Sequence, residues 1–383
     1  MKQTFTVFGV LMMTGALLVA VEGCKGPEGP AGPPGDSTIL QLEGFAAGIN
    51  CGDCHNPDTD TVNFVWARKY QWEQSKHAYG GDYERAGSSC AECHTTEGYI
   101  QKTSGKTVTA AIQPSPPGCF ACHSPHSRAD FTLRTSTAVT LNSSIAGVAD
   151  ATFNYGKGNL CASCHRPRTM SPEPDPTKTA ATDTITITSN RWYAHYGVQS
   201  QLLMGTGGFE FTDYTYTGDA AHTTAPLIQS EGCIQCHMAN LPSTASYPFG
   251  AAGGHTMNIR YDVTSSMLEG CKNSACHPSI TSVDYHSVQT IVHAYLDTLE
   301  TIMADSAAVD RFNAGAKKKW INVTVDGATI NASSGSPLKI SPASRAGALY
   351  NFFLVEHDLS FGVHNSVYTI DLLKSSLAEL RKP

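Results

Sequence analysis

Helical periodicity is concentrated toward the carboxyl end of the chain. Val288, Val292, Tyr295, Leu299 and Ile302 keep +4, +3, +4, +3 spacing, which predicts an amphipathic helix with Asp284 as a possible cap. Ala346, Leu349 and Phe353 predict a second helix. Val367, Ile370, Leu373, Leu377 and Leu380 predict a third, capped by Asn365 or Ser366. These stripes read as core packing, which makes 281–383 a helical region packing on the rest. Trp320 to Ala332 alternates around Asp326-Gly327 and predicts a hairpin, and Lys317–Lys319 before it reads as a solvated turn. Thr182–Ser189 and Phe209–Thr217, rich in Thr, Ile, Tyr and Phe, read as strands. The expected fold class is mainly α, with much irregular loop and a few short strands.

At the other end, Lys2 precedes an apolar run from Phe5 to Val21, the length of a signal-peptide core and short for a spanning helix. Val21, Gly23 and Cys24 resemble the cleavage site of a bacterial lipoprotein, with residues 1–23 removed and Cys24 lipidated; Glu22 departs from that pattern. An ordinary cleaved secretory peptide is the alternative. Lys25 implies, by the same resemblance, sorting to the outer membrane. Gly26-Pro-Glu, Gly29-Pro-Ala, Gly32-Pro-Pro and Gly35-Asp-Ser follow, collagen-like triplets too few for a triple helix. Residues 24–40 therefore read as a Gly/Pro tether, or as a plain linker.

Composition narrows the class. Charged residues are only 15% and hydrophobic ones 41%, which excludes both a long solvated disordered chain and a multi-span membrane protein. A net charge of −7 argues against a nucleic-acid binder.

Thirteen Cys and fifteen His are the anomaly. Twelve of the cysteines form six pairs, each followed at once by His. They are Cys51/Cys54 with His55, Cys90/Cys93 with His94, Cys119/Cys122 with His123, Cys161/Cys164 with His165, and Cys233/Cys236 with His237. The sixth, Cys271/Cys276 with His277, has four residues between its cysteines instead of two. In C-x-x-C-H the two sulfurs bond the vinyl groups of one haem, and the His sits beneath its iron as the proximal ligand. Zinc is the competing reading, because C-x-x-C pairs build zinc sites. Random occurrence of His after all six second cysteines has a probability on the order of 10⁻⁹ to 10⁻⁸, and zinc ribbons do not need that His. A disulfide framework would close only tiny loops. Cys51 to His277 spans 227 residues, too few for each of six haems to have its own folded domain. We therefore expect a hexahaem domain over 41–280, with six haem c groups filling much of the core and lying close enough to exchange electrons.

Nine histidines remain, and six irons each have a second face to fill. Trp72-Glu-Gln-Ser75-Lys-His77-Ala, Cys122-His-Ser-Pro-His126, His195-Tyr-Gly-Val-Gln, Ala221-His222-Thr-Thr, Gly253-Gly-His255-Thr-Met and Asp358-Leu-Ser-Phe-Gly-Val-His364-Asn carry a resemblance. The chain is similar to the multihaem cytochromes c related to nitrite reductases and hydroxylamine oxidoreductases, and most of all to the outer-surface cytochromes of metal-respiring bacteria. The resemblance covers most of 50–383 and says little about 305–342. It implies distal ligands at His77, His126, His195, His222, His255 and His364, without pairing them to particular haems. His286, His293 and His357 are then spare; the first two, seven apart, would share a helix face. Met170, Met204, Met238 and Met257 are alternative ligands that this supply of histidine makes unnecessary.

The function expected is electron transfer along six low-spin haems in respiratory electron export at the cell envelope, with no catalytic residues. Partners would be other redox proteins or extracellular metal oxides, with the outer membrane reached through a lipid anchor and self-association possible. The localisation expected is an exported outer-membrane lipoprotein on the periplasmic or extracellular face. A multihaem oxidoreductase of nitrite, hydroxylamine or sulfur oxyanions is the alternative. It needs an open haem site, and no C-x-x-C-Lys motif is present. A subunit of a conductive filament is the third reading.

Overall fold

Three long helices at the carboxyl end, Val288–Ala304, Ala346–Asp358 and Ser366–Arg381, pack against one another and organise the largest apolar core. This computed structural model describes residues 45–218, 221–240, 252–260, 266–273 and 276–383. The expected signal peptide, Cys24 and the Gly/Pro tether lie outside the described residues. Phe45–Pro383 is one compact unit, and residues on both sides of position 280 build its main core.

The first long helix is capped from before its first turn. The Asp284 carboxylate accepts from the backbone amides of Gln289 (2.7 Å) and Thr290 (3.3 Å) and from the Thr290 hydroxyl (2.6 Å). Its buried stripe is Val292, Leu296, Leu299 and Met303. Val288, Tyr295 and Ile302, expected on that stripe, lie half-buried at its flank, because the helix packs against two others and the buried face is set by both. His286 is outside the helix, in a short turn at φ 55°, so it does not share a helix face with His293 as its spacing suggested.

The second helix is buried nearly all round, with only Glu356 half-exposed. The third begins at Ser366, and Asn365 is the cap, its side chain accepting from the Tyr368 amide at 3.1 Å. Asn365→Ala is expected to cost about 1 kcal/mol, read as a lowered denaturant midpoint at unchanged slope.

Phe209–Thr217 is not a strand. Its backbone is satisfied by side chains instead of by a neighbouring strand. Asn351, fully buried, accepts from the Phe209 amide (2.7 Å) and donates to the Phe209 carbonyl (2.8 Å). The Phe211 amide donates to the Tyr216 hydroxyl (2.9 Å), and the Thr217 amide to Asp371 (2.9 Å). Gly347 permits the close approach, because a Cβ there would come within 2.1 Å of the Phe209 ring.

The strands that do form are short antiparallel pairs: Val139–Leu141 with Ala151–Phe153, Ile185–Ile187 with Leu338–Ile340, and Ile321–Thr324 with Gly327–Ile330. The hairpin falls where the alternation predicts it. Its turn residues are Val325-Asp326, and Gly327 opens the return strand at φ 115°. Toward the amino end the apolar clusters are small, one built on Tyr99, Ala121 and Leu160 and another on Val139, Leu141, Phe153, Ala162 and Leu203. It is there that the first four Cys-His motifs lie.

Candidate functional site

Each of the six motifs closes one tight turn with the same hydrogen bond. The amide of the motif His donates to the carbonyl of its first Cys: His55 to Cys51 (2.8 Å), His94 to Cys90 (3.1 Å) and His123 to Cys119 (2.8 Å). His165 to Cys161 (2.9 Å) and His237 to Cys233 (3.0 Å) repeat it. The long sixth motif also repeats it, with His277 donating to Cys271 at 3.1 Å, although its four-residue spacer holds two more residues. The bond fixes where the imidazole leaves the backbone relative to the first Cys. None of these twelve cysteines is in a disulfide.

The motif histidines do not face one another. Each faces one of the six other histidines singled out by resemblance. Ring centroids are 6.2 Å apart for His55 and His126, 6.1 Å for His94 and His195, and 6.4 Å for His123 and His255. They are 6.1 Å apart for His165 and His77, 6.3 Å for His237 and His364, and 6.3 Å for His277 and His222. The separations are uniform although the interplanar angles run from 37° to 87°, a uniformity that ring-to-ring contact alone does not require. Two imidazole–metal bonds of about 2 Å, plus roughly 1.1 Å from each coordinating nitrogen to its ring centre, reproduce the spacing. Among the described residues, no group of three or more His, Cys, Asp or Glu side chains converges on a point, as a bare ion held by protein alone would need. Opposed imidazoles with a one-atom gap, beside two cysteines without a disulfide, are the donor set a haem c requires, because the porphyrin supplies the remaining ligands.

In six of the twelve rings Nδ1 has a partner, which leaves Nε2 for the gap. His237 Nδ1 lies 3.0 Å from the Met257 carbonyl, His123 Nδ1 3.3 Å from the Thr132 carbonyl, and His222 Nδ1 3.0 Å from the His364 carbonyl. His165 Nδ1 meets Gln199 Oε1 at 3.2 Å, His77 Nδ1 meets Met257 Sδ at 3.0 Å, and His364 Nδ1 meets Asp358 Oδ1 at 2.7 Å. Such partners fix the tautomer and aim the ring. Burial holds His77, His237 and His255 at a pKa of about 4, so they are neutral at pH 7, the ligating form. His94, His123, His165, His195 and His277 shift downward as well, again mainly through burial. His364 is the exception: burial opposes its proton, but the charge and hydrogen bond of Asp358 more than offset this and raise its pKa.

Short, strained segments present these rings. His195 sits at φ 65° and Met257 at φ 56°, a left-handed conformation that costs a non-glycine residue about 1–2 kcal/mol. Met257 contacts two sites at once, through its carbonyl and its sulfur. His255 stands on a turn at Gly254–Thr256, and its amide donates to Gln71 Oε1 at 3.1 Å. His77 follows Ser75, which is fully buried and accepts from the Ala78 amide.

The motif turns also touch one another. Glu92, inside the second motif, reaches Arg166, the residue after His165, at 3.6 Å, and Tyr99 Oη lies 2.7 Å from Ser163 Oγ inside the fourth. The thiols of Cys93 and Cys164 lie close enough to shift each other's pKa, as do those of Cys161 and Cys233, and those of Cys236 and Cys271. Cys122 and Cys164 pack on the same Tyr99–Ala121–Leu160 cluster. Gln235, in the fifth motif, donates to the carbonyl of Gly270, just before the sixth, at 2.9 Å. His126, which faces the first motif's His55, lies three residues beyond His123 of the third. The fourth motif thus has the second, third and fifth as neighbours.

Gln199, Met257 and Asp358 were not singled out from sequence as partners of the rings. Asp358 and Gln199 sit six and four residues from His364 and His195, within the same loop-to-helix segments. The three spare histidines do other things. His293 packs at a tilt on Phe361 at 4.0 Å, His286 does so on Tyr285 at 4.0 Å, and His357 is buried between Tyr193 (4.5 Å) and Tyr196 (4.1 Å). No helix among the described residues is long and apolar enough to cross a membrane.

No protein-family model matches the chain, and no curated protein matches it. Among solved structures it is similar to the outer cell wall cytochrome OcwA, with a TM-score of 0.45 and 18% sequence identity over 82% of this chain and 50% of that one. The chain therefore spans about half the length of that cytochrome.

Proposed function

We propose that each motif holds one covalently attached haem c with two imidazole ligands, and that the protein is a six-haem electron carrier. The observation that carries this reading is the one-to-one facing of the six motif histidines with six others, all at 6.1–6.4 Å. The sulfurs of Cys51/Cys54, Cys90/Cys93, Cys119/Cys122, Cys161/Cys164, Cys233/Cys236 and Cys271/Cys276 would form the thioethers. The pairs His55/His126, His94/His195, His123/His255, His165/His77, His237/His364 and His277/His222 would be the axial ligands. Bound there, haem c supplies a one-electron ferric/ferrous couple. Burial favours the neutral form of eight of these rings, and Nδ1 partners fix the tautomer of six, so that little rearranges when an electron arrives.

Adjacency of the motifs gives a route. Electrons would pass from the first site to the third, then to the fourth, fifth and sixth, with the second joining at the fourth. Two imidazoles at every site leave no open axial position, which favours an electron carrier over a nitrite, hydroxylamine or sulfur-oxyanion enzyme. Haem propionates would add to a net charge of −7, suiting basic redox partners or positively charged mineral surfaces. Export, lipidation at Cys24 and attachment to the outer membrane complete the proposed setting.

Intact mass and the pyridine haemochrome spectrum of protein matured in a host with haem-attachment machinery test it. Six haem masses on the processed chain are expected, falling to five in Cys271→Ala/Cys276→Ala. A colourless product carrying no added mass would overturn the reading.

A further inference from the structure

We propose that Asp358 tunes the His237/His364 site, holding its haem at a lower potential than the sites whose ligands meet uncharged partners. The inference rests on the haem reading above. Nδ1 of His77, His123, His165, His222 and His237 meets a thioether, an amide oxygen or a backbone carbonyl. Nδ1 of His364 meets a carboxylate, and at 2.7 Å this contact is the shortest of the six.

The carboxylate is in an expensive place. Asp358 is 3% exposed and is the last residue of the Ala346–Asp358 helix, where the helix dipole disfavours negative charge. Its two oxygens have separate work. Oδ1 faces His364, and Oδ2 accepts from the Ser360 hydroxyl, whose oxygen in turn accepts from the His364 amide at 3.2 Å. Loop and ring are thereby locked to the same acid. A carboxylate accepting from Nδ1–H makes the imidazole a stronger electron donor at Nε2. In a water-poor interior its charge also stabilises ferric iron over ferrous more than a neutral carbonyl does. Both effects lower the potential. The site lies between the fourth and sixth motifs, so a low potential there would govern how readily electrons reach the sixth.

Redox titration of the loaded full-length protein, followed haem by haem through low-spin electron paramagnetic resonance signals, tests this. In Asp358→Asn, which keeps the shape and loses the charge, one haem of six should gain potential. Its ferric-to-ferrous ratio at fixed potential should fall tenfold or more, 59 mV for a one-electron couple. The same haem's low-spin signal should move while the others stay, and Asp358→Glu should restore part of the shift. Ser360→Ala removes a competing donor from the carboxylate and should move the same haem the other way. Six haems with unchanged potentials in Asp358→Asn, or a Ser360→Ala shift of the same sign, would overturn the role of Asp358 and leave the haem reading standing. Loss of a haem in Asp358→Asn with potentials otherwise unmoved would also overturn it, making the residue a structural prop. A wild-type protein with fewer than six haems would instead break the reading on which the inference rests.

Discussion

Cys161→Ala/Cys164→Ala is expected to give a folded protein with five haems and sharply reduced conduction from the first three sites to the last two. The fourth motif touches the second through Glu92–Arg166 and Cys93–Cys164, the third through the Tyr99–Ala121–Leu160 cluster, and the fifth through Cys161–Cys233. Among the described residues no such contact joins the second motif to the fifth, and the third site reaches the fifth through the segment that carries His255, whose Met257 carbonyl lies 3.0 Å from His237 Nδ1, so removing the junction leaves a much thinner link between the two groups. Removing Cys271 and Cys276 takes away an end of the route and should spare conduction among the other five. Current through molecules wired between two electrodes, with haem number checked by mass, compares the two variants. Equal currents at equal haem number would contradict the branched route.

Asn351→Ala should be the most destabilising single change in the carboxyl half. The amide is fully buried and is the partner of both backbone polar groups of Phe209, while also donating to Ser376 Oγ at 3.0 Å. Alanine strands those groups away from water. At roughly 1–3 kcal/mol for each unsatisfied buried group, the two Phe209 groups alone come to about 2–6 kcal/mol. That is a large share of an ordinary domain's margin of about 5–15 kcal/mol. Denaturant unfolding of the loaded protein reads it as a lower midpoint, and a loss under about 1 kcal/mol would contradict the role of Asn351.

The parts of the fold legible in the sequence are those that local chemistry decides. Apolar spacing locates the three long helices, Asn365 and Asp284 cap two of them, and alternation locates the Ile321–Ile330 hairpin. The failures come from groups supplied at long range. Phe209–Thr217 has strand-like composition, yet its backbone partners are side chains, Asn351 and Asp371 on helices more than a hundred residues away and Tyr216 within the segment, so no strand forms. The buried face of Val288–Ala304 depends on two partner helices and cannot be read from its own stripe.

The candidate sites divide in the same way. The motif turns are local and were legible, the longer sixth included. Which histidine faces which is set by loops that cross the molecule: His77 meets His165 across 88 positions and His123 meets His255 across 132, distances no periodicity encodes. The supporting atoms of Gln199, Met257 and Asp358 are less legible still. A carbonyl or amide oxygen placed beside a ring leaves no trace in residue type.

The electron paramagnetic resonance spectrum of the fully oxidised protein is the decisive measurement. Imidazoles on both faces of every iron predict low-spin ferric signals alone, integrating to six irons per chain. A high-spin ferric signal of one iron or more would mean that an opposed histidine pair does not close on its metal, and would return the protein to the class of haem enzymes with an open site.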